Sequence, residues 1–346
     1  MRMQRLTVVM SMNEIVVTRD ELQILLNMED EISIMYPFYK HFQLLTAKPE
    51  EGGYRLKVFA GEYDFDREIE KLDHYAREMP GYTDFLECLL SSGIIGYKNE
   101  EDFREKLKHY RSLTKRVYFC PDTNVIYHRF ISNSSLFKQN EILLVDTVKE
   151  EIEAALNFKY SPHQISELKS LVKYQEFLLD EWINKRMKRS RKAAYIALRE
   201  YRKVRDLAVE IEGVEESTSD SEYNDRIIIK SVRRFERERN ALPVLLTADV
   251  SMVDICELEG IEYFLFEYPH AISADYCTAE QILELVYSLA VVFGVIRLNS
   301  TVIFGEFKGK SRHEELKLRF LDEKMIEEFE RDLRVCRRLM ELGIER

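Results

Sequence analysis

Residues 117–126 read VYFCPDTNVI, an apolar segment that breaks at Pro121 and Asp122 into a polar turn and then becomes apolar again. The continuous hydrophobic character of the first part is typical of a strand that is buried on both faces of a parallel sheet. In open α/β sheets, ligands bind in the crevice outside the carboxyl ends of the strands. The segment therefore predicts an α/β fold with Asp122 in a binding crevice.

Three other acidic residues occupy similar settings. Asp249 follows an apolar run, Glu151 lies one turn into a helix that comes after another such run, and Asp225 opens an apolar helix. Carboxylates gathered at one sheet edge repel each other, and burial strengthens the repulsion. A hard divalent cation such as Mg²⁺ or Mn²⁺ would relieve it, since these ions prefer oxygen ligands. The four acids predict a metal site suited to phosphodiester hydrolysis.

A competing explanation applies to some of these acids. Asp and Glu make up 62 of the 346 residues, so an acid near a strand end is common. Glu151 and Asp225 also suit the first turns of helices, where the helix dipole favours negative charge. Asp122 has no such explanation, and the four together favour a metal site over coincidence. Weaker candidates for the same site are Asp220, Glu222 and Asp254.

These segments resemble the PIN-domain nucleases over about residues 115–268. The resemblance rests on Asp122-Thr123-Asn124, Glu151-Ile152, Asp225 with an apolar residue three positions on, and Thr247-Ala248-Asp249. It implies a three-layer α/β/α domain with a central parallel sheet, and a Mg²⁺- or Mn²⁺-dependent endoribonuclease. By position, the metal would be held by Asp122, Glu151, Asp225 and Asp249, and Asn124 and Thr247 would support these ligands.

A long charged segment between Glu151 and Asp225 departs from the compact members of that family. About residues 161–212 predict a helical insertion, formed by two antiparallel helices or one long helix, since no Gly or Pro follows Pro162 until Gly213. Its basic residues are Lys185, Arg186, Lys188, Arg189, Arg191 and Lys192. In an acidic protein, this cluster favours a clamp on the phosphate backbone of a nucleic acid over a solvated helix face.

The flanking regions predict two further α+β modules. Residues 1–114 contain short helix and strand patterns and no catalytic constellation, so their role stays open. Residues 269–346 predict an apolar helix, a hairpin and a charged helix. Dimerisation and substrate positioning are equally reasonable roles for this C-terminal module.

The amino-acid composition of the chain argues against several classes of protein. The net charge of −11 argues against a protein that coats nucleic acid indiscriminately, although RNA as a substrate needs only a local basic patch. Five cysteines without a Cys-x-x-Cys spacing argue against a disulfide framework and favour a cytoplasmic location. The most apolar stretch, residues 285–296, is shorter than the roughly 18 residues of a membrane span. No membrane association is expected.

The sequence thus predicts a cytoplasmic, metal-dependent endoribonuclease with RNA as its substrate. Two alternatives remain: a catalytically silent PIN-fold module for RNA binding or assembly, and a structure-specific DNA nuclease. A phosphatase of the haloacid dehalogenase type is disfavoured, because its chemistry needs a second acid two residues after Asp122, where Asn124 stands.

Overall fold

The computed structural model describes residues 13–344, which form two compact units. The first unit contains the chain up to Phe85, the segment Lys159–Lys188 and the chain from Ala274 onward. The second unit contains Leu86–Phe158 and Arg189–Ser273. All four predicted metal ligands belong to the second unit.

The strands, in chain order, are β1 Glu14–Val17, β2 Ile32–Tyr36, β3 Phe42–Glu50, β4 Gly53–Val58, β5 Val117–Pro121, β6 Ile142–Val145, β7 Ala208–Ile211, β8 Leu242–Thr247, β9 Glu262–Leu265, β10 Tyr276–Cys277, β11 Val295–Leu298, β12 Thr301–Phe304 and β13 Leu316–Phe320. The α-helices are α1 Leu22–Asn27, α2 Glu62–Ile69, α3 Tyr82–Ser91, α4 Glu100–Ser112, α5 Thr123–Tyr127, α6 Phe130–Ser134, α7 Asp146–Ala155, α8 Pro162–Leu171, α9 Lys188–Lys192, α10 Leu198–Arg205, α11 Ser221–Arg239, α12 Val250–Glu259, α13 Ala279–Phe293 and α14 Glu323–Glu341. Short 3₁₀ helices span Glu70–Tyr75 and Glu176–Trp182, and a π-helical turn spans Ala193–Ala197.

The second unit is built on a five-stranded parallel sheet with the order β7-β6-β5-β8-β9. The chain starts at the central strand β5, moves outward through β6 to β7, and returns to β8 on the other side of β5. The strand order therefore reverses between β5 and β8, and such a switch point opens a crevice at the carboxyl ends of the strands. This sheet, flanked by helices, confirms the predicted α/β fold.

The first unit contains an eight-stranded antiparallel sheet with the order β1-β13-β12-β11-β2-β3-β4-β10. Strands from both ends of the chain alternate in it, since β1 pairs with β13 and β11 pairs with β2. The structure therefore replaces the predicted separate modules 1–114 and 269–346 with one unit, and it assigns residues 86–114 to the second unit. Local patterns indicate some of these strands, but they hold no information about which distant strands share hydrogen bonds.

The predicted long helical insertion is also different in the structure. Residues 159–188 belong to the first unit and residues from Arg189 onward to the second. The tract is broken into short segments, because Gln175 and Asn184 adopt left-handed backbone conformations with φ of 49° and 60°. The prediction of two antiparallel helices or one long helix was wrong, since non-glycine residues can also end a helix in this conformation.

Several features of the structure depend on local sequence signals. Ser161 caps α8 in a capping box with Gln164, and Thr278 caps α13 in the same way with Gln281. The predicted C-terminal hairpin is formed by β11 and β12. The apolar helix α13 is buried along most of its length. Within residues 13–344, no helix combines the length and the apolar character needed to cross a bilayer.

Candidate active site at the carboxyl edge of the parallel sheet

Asp122 lies where β5 ends and is buried, with 3% of its surface exposed. It is the N-cap of α5, and its Oδ1 accepts a hydrogen bond of 2.7 Å from the backbone N–H of Val125. Its other carboxylate oxygen accepts a hydrogen bond from the hydroxyl of Thr247. Asp122 is thereby held in one orientation at the switch point of the sheet.

Thr247 connects two of the acids. It is the last residue of β8 and is fully buried. Besides donating to Asp122, its hydroxyl oxygen accepts a hydrogen bond of 2.9 Å from the backbone N–H of Asp249. Asp249 in turn caps α12 by accepting a 2.8 Å hydrogen bond from the backbone N–H of Ser251. A single hydroxyl therefore fixes the carboxyl ends of β5 and β8 relative to each other.

Glu151 is linked to Asp122 and to Asp225 through the sequence neighbours of these two acids. It lies in the second turn of α7, and one of its oxygens accepts a hydrogen bond from the hydroxyl of Thr123. Its other oxygen accepts a bond of 3.1 Å from the side-chain amide of Asn224. Thr123 directly follows Asp122, and Asn224 directly precedes Asp225. The four predicted acids are therefore brought together by two small hydrogen-bond networks.

The electrostatics of the site show that its acids are crowded. Burial raises the pKa of Asp122 to about 6, and the negative charge of Asp249 adds to the effect, while the hydrogen bonds from Thr247 and Val125 oppose it. Burial also raises the pKa of Asp225 to about 7, followed by the charges of Glu151, Asp122 and Asp249. The surrounding acids thus destabilise the charged forms of Asp122 and Asp225.

The donor set suits a hard divalent cation in its chemistry. Its side chains offer carboxylate oxygens, and the raised pKa of Asp225 comes from burial and negative charge alone. Across residues 13–344, however, no three His, Cys, Asp or Glu side chains are arranged closely enough to hold a metal ion. The oxygens of Asp122 and Glu151 are instead engaged by Thr247, Val125, Thr123 and Asn224. Binding an ion would require some carboxylates to rotate toward a common point.

The other residues that the sequence predicted for this site have different positions and partners. Asn124 is exposed on α5. Asp220 caps α11 by accepting a 3.1 Å hydrogen bond from the backbone N–H of Glu222, and the side chain of Glu222 pairs with Arg226. Asp254 is exposed on α12. These positions give Asp220 a structural role and leave Glu222 as a contributor to the negative charge near Asp225.

The predicted basic clamp is largely contradicted. Arg191 is fully buried and cannot contact a nucleic acid. Lys188 forms an ion pair of 2.8 Å with Asp84, and Lys192 forms one with Glu87. Lys185 and Arg186 are half-buried, and Arg189 is the exposed member of the set. The sequence pattern missed this outcome because Asp84 and Glu87 lie about a hundred residues away in the chain.

Sequence reasoning also missed a buried group beside the site. The ring nitrogens of His128 contact the hydroxyls of Tyr97 at 2.6 Å and Tyr268 at 3.2 Å. Burial lowers the pKa of His128 to about 3, so the ring is neutral at physiological pH. The charge of Asp122 raises the pKa of both tyrosines, after the larger effect of burial. The sequence signal for this buried group was a single histidine, His128, shortly after Asp122.

Comparison with known proteins identifies this region. A search of curated proteins gave no match. Among solved structures, the chain is similar to a domain of a functionally unknown protein from Methanocaldococcus jannaschii DSM 2661, with 16% identity over 46% of this chain and 96% of that one. The TM-score of that pair is 0.27. Residues 119–266 match the family model of the PIN domain. The chain therefore carries a PIN domain, with additional regions on its N- and C-terminal sides.

Proposed function

We propose that this protein is a metal-dependent endoribonuclease that hydrolyses RNA phosphodiester bonds at the edge of the parallel sheet. PIN domains are generally nucleases, which supports a phosphodiester hydrolase. The observation that carries the proposal is the convergence of four carboxylates, two of them with a raised pKa, at the switch point of this sheet. A fold keeps such mutually repelling groups together mainly where function requires them.

In this proposal, Asp122, Glu151, Asp225 and Asp249 hold Mg²⁺ or Mn²⁺. When bound, such an ion supplies an activated water and neutralises charge on the phosphodiester. Thr247 orients Asp122, and Thr123 and Asn224 orient Glu151. These neutral donors hold the carboxylates of the metal-free site without cancelling their charge, and some of these hydrogen bonds would change partner when an ion binds.

The thiols near the site are unsuited to covalent catalysis. The charge of Asp122 adds to the effect of burial on Cys120 and Cys256. Burial raises the pKa of Cys256 to about 12, and that of Cys120 further still. A protonated thiol is a poor nucleophile. The role of the protein groups is therefore to position the substrate and water for direct displacement, and the family resemblance implies products with a 5′-phosphate and a 3′-hydroxyl.

The proposal is tested by incubating the protein with single-stranded and looped RNA, with Mn²⁺, with Mg²⁺ and with chelator. We expect metal-dependent cleavage that falls by at least about 10²-fold in Asp122→Asn, since removing one group that stabilises the transition state has effects of this size. Asp254→Asn is a matched control, because it removes an exposed carboxylate from α12. Undiminished cleavage by Asp122→Asn would refute the assignment.

A second candidate function is a catalytically silent PIN-fold module that binds RNA. The observation that favours it is that residues 13–344 hold no group of side chains arranged for a metal ion. Such a module would bind RNA in a salt-dependent manner and would take up no Mn²⁺. Cleavage of RNA by the wild-type protein would exclude it.

Location and assembly remain predictions. The thiols of Cys120, Cys256, Cys277 and Cys336 are free, which supports the proposed cytoplasmic location. Dimerisation is a further proposal, and its support is the set of exposed apolar residues on α14: Val335, Leu339 and Met340. Sedimentation at several protein concentrations would test it.

A further inference from the structure

Helix α11 has a continuous basic face that the sequence analysis did not single out. Its residues are spaced by three or four positions and therefore lie on one side of the helix: Arg226, Lys230, Arg233, Arg234 and Arg237. Lys230, Arg234 and Arg237 are exposed. The opposite side of the helix is buried through Ile228, Val232 and Phe235. The five cations thus form a stripe on the surface, which we call the α11 stripe.

A groove accompanies the C-terminal half of the α11 stripe. It has a volume of about 350 Å³ and is lined by Lys230, Arg233, Arg234, Arg237, Glu238 and Glu259. Four of these six side chains are cations. The chain as a whole has a net charge of −11, whereas the side chains that line this groove carry more positive than negative charge. Its charge is complementary to an anionic ligand.

Three of the five cations already have partners within the protein. Arg226 pairs with Glu222 at 2.7 Å, Arg233 pairs with Glu236, and Arg234 donates to the backbone carbonyl of Glu212. Lys230 and Arg237 have no ion-pair partner among the residues that the structure describes. They are the members of the stripe whose charge is most available to an external phosphate.

The position of the stripe relates it to the acidic site. Asp225 is the fifth residue of α11, and the stripe begins at the next residue, Arg226, on a face about 100° around the helix from Asp225. From Arg226 to Arg237 the helix advances eleven residues, or about 16 Å at 1.5 Å per residue. This length is enough for more than one phosphate of a nucleic-acid strand to contact the stripe. A strand that is cut at the carboxylates could continue along α11.

We propose that the α11 stripe binds the sugar-phosphate backbone of single-stranded RNA and guides it to the acidic site. The assignment of RNA as the ligand rests on the proposed endoribonuclease function. A single strand fits better than a duplex, because the stripe is one helix face wide and offers one row of cations. The contacts are to phosphates, so binding is expected to depend on salt and little on base sequence.

The test is a binding titration of a short fluorescent oligouridylate in chelator, repeated over a range of salt concentrations. We expect Lys230→Gln combined with Arg237→Gln to weaken binding at low salt. The slope of log K against log salt should become shallower by about 1.4, from about 0.7 for each lost phosphate contact on a single strand. The matched control is Arg202→Gln combined with Arg239→Gln, which removes two exposed arginines that lie off the stripe.

The outcomes separate this proposal from the proposed function. Wild-type protein that does not bind the oligonucleotide, or a stripe variant with the wild-type slope, would overturn the stripe. An equal loss in the control variant would overturn it too, because the effect would then come from net charge. Chelator suppresses metal-dependent cleavage, so a stripe-dependent slope found together with no cleavage in Mn²⁺ would support the stripe and reject the nuclease.

Discussion

At the residue scale, the carboxylates at the sheet edge were predictable, and the groups that orient them were not. Asp122 was identified because it ends an apolar strand, but the structure also makes it the N-cap of α5, a helix-start role that the sequence analysis did not assign to it. Thr123 and Asn224, which bind Glu151, were missed because short polar residues beside acids are common in any chain. Their role depends on contacts across 28 and 73 residues, which local patterns do not contain.

The raised pKa of Asp225 leads to a prediction about stability. Its folded-state pKa of about 7 lies above the unfolded value of about 3.9, so the folded protein holds this proton more tightly. The metal-free protein should therefore lose stability as pH rises from about 4 to about 7, and the cost should persist above that range. Asp225→Asn should remove this cost and raise the free energy of unfolding at about pH 8 by about 1–2 kcal/mol, a value reduced for the partial exposure of the group.

The measurement is urea denaturation of wild type and Asp225→Asn in chelator at several pH values. The two proteins should converge in stability near pH 4, where Asp225 is protonated in the folded state. If the variant is less stable than wild type at about pH 8, the negative charge of Asp225 does not destabilise the folded protein.

At the element scale, the sequence predicted the strand that ends at Asp122 and the C-terminal helices and hairpin, but it misjudged the basic segment. The apolar helix and the hairpin of the C-terminal region were predictable because their signals are local. Asp84 and Glu87 in α3 form ion pairs with two lysines of α9. These ion pairs determine whether the lysines are available to a nucleic acid. A run of basic residues can lie on the surface or pack inside the protein. Which of the two occurs depends on acidic residues that are far away in the sequence.

The buried position of Arg191 predicts that its substitution acts on stability. Arg191→Ala should lower the free energy of unfolding by about 2–5 kcal/mol, because it removes a fully buried side chain and leaves a cavity. Arg189→Ala, at an exposed nearby position whose guanidinium lies over the ring of Phe158, should lower it by no more than about 1 kcal/mol. Chemical denaturation of both variants checks the prediction, and equal stability of the two would contradict the burial of Arg191.

At the scale of the whole molecule, strand pairing was the main feature that could not be predicted. The sequence indicated strands near both chain ends, but β11 pairs with β2 across more than 250 residues. Such a pairing depends on long-range hydrogen bonds rather than on local periodicity. The parallel sheet was predictable as a class, because consecutive apolar runs separated by helices are typical of it.

The shared antiparallel sheet predicts that the two chain ends of the first unit unfold together. Ile296 is fully buried in β11, so Ile296→Asp would place an unpaired charge inside this sheet. Amide hydrogen exchange should become faster in both β2 and β12, although β2 lies near the N-terminus. Faster exchange confined to residues after Ala274 would show that the N-terminal strands are stable without this pairing.

The central claim is that four carboxylates of the PIN domain share a divalent cation, and a calorimetric titration with Mn²⁺ tests it most directly. The account predicts saturable binding to the wild-type protein and to Asp254→Asn. Binding should be at least about tenfold weaker in Asp122→Asn and Asp225→Asn, because each loses a negatively charged oxygen ligand. The absence of Mn²⁺ binding to the folded wild-type protein, or equal binding by all four proteins, would contradict it.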